Sequence, residues 1–437
     1  MRKVVRLAVV LCLMLSAILP ISGVLNAQSS ECDVQAGVLI GTLSYGVNCL
    51  DGNGWNTFEI ESSGIPVSSI DDVAVCPDDG SLLVLHIFGM NKFDGTGWTD
   101  VEVPSDVFAP NGLACAAGGD IWVAHTSGVS HFDGSEWTTV SDDELGTSPF
   151  IIGAKDVAAS ADGSVWVTTS NSVAHYVDGT WEVFENGKGY NEDFSLGEMV
   201  LNSDGLPIIA YYDGLLSYDG SAWSTESAPI TSLQKVMVDN SGRIWVGSLS
   251  EGAAVLEDGN WTVYNVEQGL SSNSVNALAS DEAGRIWIGT SWGLNVLDGG
   301  EWTAYQMSNS DLLDNNIQQI NVLGAGADLP ARTEKAGGSI IGALVTGRDP
   351  APDLQVELCT ESVGGIYYGE TPCEGQSGQM LTTTDENGEF SFTDVPIGRY
   401  DIAFETPDGW IYFIGVDSKV EVTEGQENDL AFIDISG

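Results

Sequence analysis

Seven of the Asp-Gly pairs in this chain recur at an even spacing: Asp51-Gly52, Asp94-Gly95, Asp133-Gly134, Asp178-Gly179, Asp219-Gly220, Asp258-Gly259 and Asp298-Gly299. A tryptophan follows each Gly two or three residues later: Trp55, Trp98, Trp137, Trp181, Trp223, Trp261 and Trp302. Successive tryptophans are 43, 39, 44, 42, 38 and 41 residues apart. Spacing this even is the mark of stacked repeats, each burying its apolar face on its neighbours. A period of about 40 to 45 residues, built from short alternating segments separated by turns, is that of four-stranded propeller blades.

The best-preserved unit spans 273–302. It predicts a first strand near 275–279, a second over 285–290, a third over 294–297 and a fourth starting at Trp302. Turns fall at 281–284, at Trp292-Gly293 and at Asp298-Gly299, where Asp and Gly tolerate the left-handed backbone of tight hairpins. Matching second strands are predicted at 82–86, 121–125, 165–169, 207–211 and 244–248, giving six complete units from about 68 to 306. Residues 38–55 match only the last three strands of a unit, and residues 314–322 match only the first. Pairing the two pieces predicts an all-β, seven-bladed β-propeller in which the N- and C-terminal strands of one blade close the ring and remove its free edges.

Gly242-Arg243-Ile244-Trp245-Val246-Gly247-Ser248 and Gly284-Arg285-Ile286-Trp287-Ile288-Gly289-Thr290 resemble the two-component-regulator propeller repeat, over about 38–323. The resemblance implies an extracellular sensor-type propeller, often reading oligosaccharides. Such propellers are usually joined to a Tyr-rich sandwich, a membrane helix and a kinase. Those attachments are not read in this sequence, so extracellular recognition is the expectation and signal transduction is not.

The repeat stops at 329. Residues 330–336, with Arg332, Thr333, Glu334 and Lys335, read as a linker. From 337 to 437 alternating segments at 338–345, 354–358, 382–392 and 395–402 predict a second all-β module. Its Asp385-x-x-Gly388-x-Phe390-x-Phe392 and Pro396-x-Gly398-x-Tyr400 pieces resemble the carboxypeptidase-regulatory-like and Cna-B-like family. That resemblance implies a C-terminal prealbumin- or immunoglobulin-like β-sandwich acting as a spacer or adhesion domain.

At the N-terminus Arg2, Lys3 and Arg6 precede an apolar run over 7–19 and a small residue at Ala27, the pattern of a secretory signal peptide over 1–27. The mature propeller domain is then 28–329, released or held at the surface by a partner, with no membrane insertion after cleavage. Beyond Cys12, six cysteines remain. An even count in an exported chain predicts disulfides: Cys359 with Cys373, then Cys32 with Cys49. Cys76 and Cys115 occupy matching positions in adjacent repeats, and the sequence leaves open whether they reach bonding distance.

The chain holds 63 Asp+Glu against 14 Lys+Arg, a formal charge of −49. With no basic stripe to displace counterions from phosphates, nucleic acid and anionic membranes are disfavoured as partners. Arg243 and Arg285, the only arginines of the propeller, sit at one turn position of their repeats and form no carboxylate-binding cluster. His86, His125, His131 and His175 lack zinc-ligand spacing, and the Asp-initiated turns at 239–242, 281–284 and 385–388 lack the alternating carboxylates of a calcium loop. No cofactor is expected.

His86 and His125 end equivalent second strands, in line with Thr42, Thr169, Tyr211, Ser248 and Thr290. The expected ligand site, on the face where second-to-third turns gather, therefore comprises His86, His125, Tyr211, Tyr212, Asp213, Trp292 and Tyr45. The last two precede third-strand glycines and read as surface aromatics. The reading is a noncatalytic extracellular recognition or scaffold protein for a glycan or another protein. Its rivals are a polysaccharide-active hydrolase or lyase using acids at the propeller mouth, and a purely structural surface protein.

Overall fold

The computed structural model describes residues 37–435 apart from 43–45, 59–69, 87–88, 95–96, 105–106, 108, 142–143, 146–152, 170–171, 186–195, 324–325, 361–370, 375, 407–408 and 413–418. The expected signal segment, Cys32 and Tyr45 lie outside the described residues. Among those described, no helix is long and apolar enough to cross a membrane.

Each tryptophan repeat is a four-stranded antiparallel sheet of the kind propeller blades are made of. Sheet I runs in the order Ile317–Val322, Val38–Thr42, Val47–Asp51, Gly54–Phe58. The two chain segments meet with Val38 opposite Val322 and Ile40 opposite Ile320. Sheets II to VII take their strands in sequence order, from first strands Asp72–Val75, Pro110–Cys115, Ala154–Ala159, Leu196–Leu201, Leu233–Val238 and Val275–Ser280. The first strands touch one another in order, I to II through to VII and back to I.

Two of the Asp-Gly turns show the left-handed pair their chemistry predicts. Asp178 and Asp258 both sit at φ 49°, followed by Gly179 at 80° and Gly259 at 76°, two consecutive left-handed residues of the sort a two-residue hairpin needs. The tryptophan beyond each turn is then placed by packing between sheets. Trp181 meets Trp122 of the preceding sheet at 6.1 Å, and Trp223 meets Trp166 at 6.3 Å. Trp302 joins the cluster around Trp245, and Trp55 of sheet I joins that around Trp287 of sheet VII. Apolar clusters thus lie between consecutive sheets all the way round. One of them, between sheets II and III, contains the Cys76–Cys115 disulfide, whose Cα atoms are 5.0 Å apart.

The Gly-Arg-Ile-Trp repeats have a side-chain explanation. One Asp281 oxygen accepts from the Arg285 backbone N–H at 3.0 Å; the other accepts from Arg285 Nε at 2.5 Å and Trp287 Nε1 at 2.9 Å. Asp239 holds Arg243 and Trp245 in the same way. Asp281→Ala would strand a buried guanidinium and indole N–H. It is expected to cost about 3 kcal/mol, read as a fall in the urea midpoint; Glu301→Ala, an exposed change in the same sheet, should shift it little.

The C-terminal module consists of two sheets. In one, Gly338–Thr346 pairs antiparallel with Glu389–Val395 and parallel with Glu427–Asp434. The other runs Met380–Thr383, Gln355–Cys359, Gly398–Thr406, Gly409–Tyr412, with Val420–Val422 also on Gly398–Thr406. Ile340, Leu344, Val356, Leu358, Phe390, Phe392 and Phe404 fill the space between them. Cys359 and Cys373 are disulfide-bonded, and the fully buried Glu357 accepts from Thr371 Oγ1, Cys373 N–H and Gln379 Nε2 to fix that loop. Cys49 is also disulfide-bonded. The segment read as a linker lies along the 306–315 loop, with Thr333 N donating to Asn309 O at 2.9 Å and Lys335 N to Ser308 O at 2.7 Å.

Candidate functional site

The second-to-third turns were the expected ligand face, and their geometry separates the expected residues into groups. His86 and His125 are buried. His86 Nε2 bonds Asn91 Oδ1 at 2.8 Å, and Asn91 in turn donates to Asp100. His125 Nε2 bonds Ser130 Oγ at 2.9 Å while its Nδ1 accepts from Ser127 N. Thr42, Thr169, Ser248 and Thr290 at the equivalent positions are also buried and staple their own turns, as when Thr290 Oγ1 donates to Gly293 O at 2.8 Å. Burial pushes the His86 imidazole below its ordinary value. Tyr211 belongs to the apolar cluster between sheets IV and V. The expectation that His86, His125 and Tyr211 line an open surface is corrected: a polar side chain at this strand end is drawn inward to satisfy the turn beneath it.

Trp292 requires the largest correction. Read as a surface aromatic, it is only 6% exposed and lies in the core of the C-terminal module, its ring 5.2 Å from that of Tyr400. The module sits on this turn of sheet VII and uses the tryptophan as a socket.

Tyr212 and Asp213 are exposed, Tyr212 by 62%. Sequence reasoning missed their neighbours Leu249 and Glu251, on the same turn of sheet VI, although the shared offset within the repeat was a usable signal. Leu249 is 50% exposed. Tyr212 O accepts from Leu233 N and Leu249 N donates to Ser232 O, so the two turns flank one short stretch of chain. The result is an exposed patch of one aromatic, one aliphatic and two carboxylate side chains.

A second cluster was not legible at all. Asp72, Asp156, Glu198 and Lys235 stand on the first strands of sheets II, IV, V and VI. They act on one another across the axis around which those strands are arranged. Lys235 Nζ is 3.5 Å from Glu198 Oε2, with 21% and 33% of the two side chains exposed. Asp72 accepts from Leu113 N and Asp156 from Met199 N, each reaching to a later sheet. Burial pushes the Asp72 carboxyl up to about 7, and burial, then Glu198 and Asp72, carry Asp156 well above the carboxylate range. Glu198 is raised by burial against the pull of Lys235. Burial alone would lower Lys235, but the three carboxyls outweigh it and hold it above its ordinary value. An acid held near neutrality, as Asp72 is, can exchange protons at physiological pH.

The histidines on third strands have a structural use. His131 stacks on Trp122 at 3.9 Å and His175 on Trp166 at 3.7 Å, while Arg243 and Arg285 lie over Trp245 and Trp287 at 5.7 and 5.4 Å. Glu357, Cys359 and Cys373 lie close enough to hold a metal, but both sulfurs are committed to a disulfide and a thiolate is the metal ligand.

These features define an all-β chain with a propeller-type fold and a small all-β module seated on one of its turns. Residues 269–292 match the family described as Two component regulator propeller. Among solved structures, streptogramin B lyase is similar at 14% identity, covering 61% of this chain and 93% of that one with a TM-score of 0.50. The extracellular domain of the proposed hybrid two component system BT4673 from B. thetaiotaomicron is similar at 14% identity, covering 90% and 65%, TM-score 0.44. PorZ, a surface component of the type-IX secretion system of Porphyromonas gingivalis, is similar at 15% identity, covering 85% and 56%, TM-score 0.47. No curated protein matches this chain. At these identities the likeness concerns fold alone, and function is argued from the site.

Proposed function

We propose that this chain is an exported, noncatalytic recognition protein: a seven-bladed propeller closed by both its terminal segments, carrying a prealbumin- or immunoglobulin-like sandwich, and binding an extracellular glycan or protein through the second-to-third turn face. The observation that carries the reading is the exposed Tyr212, Asp213, Leu249, Glu251 patch. A flat ring with a polar tip next to carboxylates suits both sugar stacking and protein contact. The disulfides and the signal-like leader support an oxidising, extracellular setting.

Tyr212→Ala is expected to weaken binding of whichever glycan or protein is captured about tenfold or more, with no change in melting temperature because the ring is exposed. A glycan array and a pull-down from surface proteins, each run with wild type and variant, check this. Retention indifferent to Tyr212→Ala and to Leu249→Ala would remove the turn face from the reading.

A second reading has its own observation. The axial acids Asp72, Asp156 and Glu198, with pKa values held high beside Lys235, suit proton transfer in a polysaccharide-active hydrolase or lyase. Cleavage of an arrayed glycan that is lost in Glu198→Gln would favour it over noncatalytic recognition.

A further inference from the structure

The C-terminal module carries a groove of its own, lined by module residues alone. It has a volume of about 630 Å³, a floor of Ile341, Gly342 and Ala343, and a wall at Phe432. The register places Asp429 beside Ile341 and Phe432 beside Ala343, with a bulge between them at Leu430 and Ala431. Ala431 adopts φ 55°, a left-handed conformation that residues other than Gly rarely hold, and Asp429 Oδ1 accepts from Ala431 N to maintain it. The bulge re-aims the strand, and Phe432 beyond it is 79% exposed, the most exposed large apolar side chain described. Such a ring in solvent beside a concave floor needs a reason.

The groove is also acidic. Asp385, Glu389 and Asp429 line the groove, and no Lys, Arg or His does among the described residues. Glu427–Asp434 pairs with Gly338–Thr346 along one side, and no other strand pairs with it among the described residues. An open edge is a template for an added strand, and its side chains decide which strand. Here Glu427, Asp429 and Asp434 occupy the edge strand, and the whole chain carries −49. A second copy of this chain would bring the same carboxylates against themselves. An extended segment with alternating Lys or Arg would instead set an ammonium or guanidinium group over the Phe432 face and between the carboxylates, while its backbone meets the free edge.

We infer that this groove and the adjoining edge of the C-terminal module form a docking site for a basic, extended peptide segment of a partner protein. The site is separate from the turn face of the propeller and gives the module a binding role of its own.

The test uses the full chain and a fluorescent ten-residue peptide alternating Lys with Val, followed by anisotropy at about 0.05 M and 0.15 M salt, where screening of exposed charges differs. Binding is expected at both, weakened roughly five- to tenfold by Phe432→Ala and again by Glu389→Gln. Glu301→Gln, which removes one exposed acid from the propeller, should leave it unchanged. Melting curves confirm that each variant stays folded, and Asp429→Asn, which keeps the acceptor for Ala431 N, serves if one does not. Three results would overturn the inference: equal binding of a Ser-Val peptide of the same length, an equal loss in Glu301→Gln, or binding unaffected by the Phe432→Ala, Glu389→Gln pair. Capture of a neutral oligosaccharide that depends on Phe432, with no response to the basic peptide, would assign the groove to a glycan instead.

Discussion

Trp292→Ala is expected to destabilise the C-terminal module by about 3 to 5 kcal/mol, the usual cost of removing a large aromatic from a core, and to loosen it from the propeller. The indole is shared: it is donated by a turn of sheet VII and buried among Ile340, Tyr400 and their neighbours. Gly398 leaves the room it needs, since a Cβ there would lie 3.0 Å from the ring. Gln306 Nε2 donates to Trp292 O at 2.8 Å and fixes the turn from below. Arg399 crosses in the opposite direction. It reaches Leu313 O at 2.8 Å and Glu421 at 3.1 Å, lies 3.9 Å from Asp314, and is 10% exposed. Burial raises the Asp314 carboxyl and Arg399 opposes that shift. Calorimetry should show the module melting earlier in the variant, and limited proteolysis should cut within 330–336 more readily. If melting and cleavage both match the wild type, the indole is not what seats the module.

Lys235→Met is expected to produce a pH-dependent loss, because among the described residues Lys235 is the cation that faces Asp72, Asp156 and Glu198. A carboxyl whose pKa is raised in the folded state binds more protons folded than unfolded. Its contribution is therefore fully present below about pH 4 and is lost as pH rises through the folded value, near 7 for Asp72. Without the lysine those folded values climb further. The variant should be about 1 to 3 kcal/mol less stable than wild type at pH 8 and nearly equal to it at pH 4, the figure being reduced from that of a fully buried pair because solvent reaches these side chains. His86 and His175, lowered by burial, act the other way, with stability falling as pH drops through the ordinary histidine range; they are common to both proteins and cancel in the difference. Urea midpoints from pH 4 to 8 decide it. A deficit that is the same at every pH would mean that Lys235 acts through its methylene packing.

The sequence alone determined the repeat, because the signals are local. Asp-Gly pairs set the hairpins, two-residue alternation set the strands, and tryptophans at a fixed offset filled the space between neighbouring sheets. Even the pairing of Val38–Thr42 with Ile317–Val322 followed from which strands each terminal piece lacked. The Cys359–Cys373 bond was legible for the same reason, since only 14 residues separate the two.

What only the tertiary structure decided were the relations between distant parts. His86, His125 and Tyr211 were polar groups at strand ends, and whether such groups face solvent or a turn depends on hydrogen bonds that no period encodes. Trp292 and Tyr212 stand on equivalent turns of different sheets and were indistinguishable in sequence; one is buried and the other exposed because a module that starts 45 residues after Trp292, at Gly337, folds back onto the first and not the second. The axial acids and Lys235 are single residues on four separate strands, and they became a coupled group only when closure of the first strands brought them to one axis.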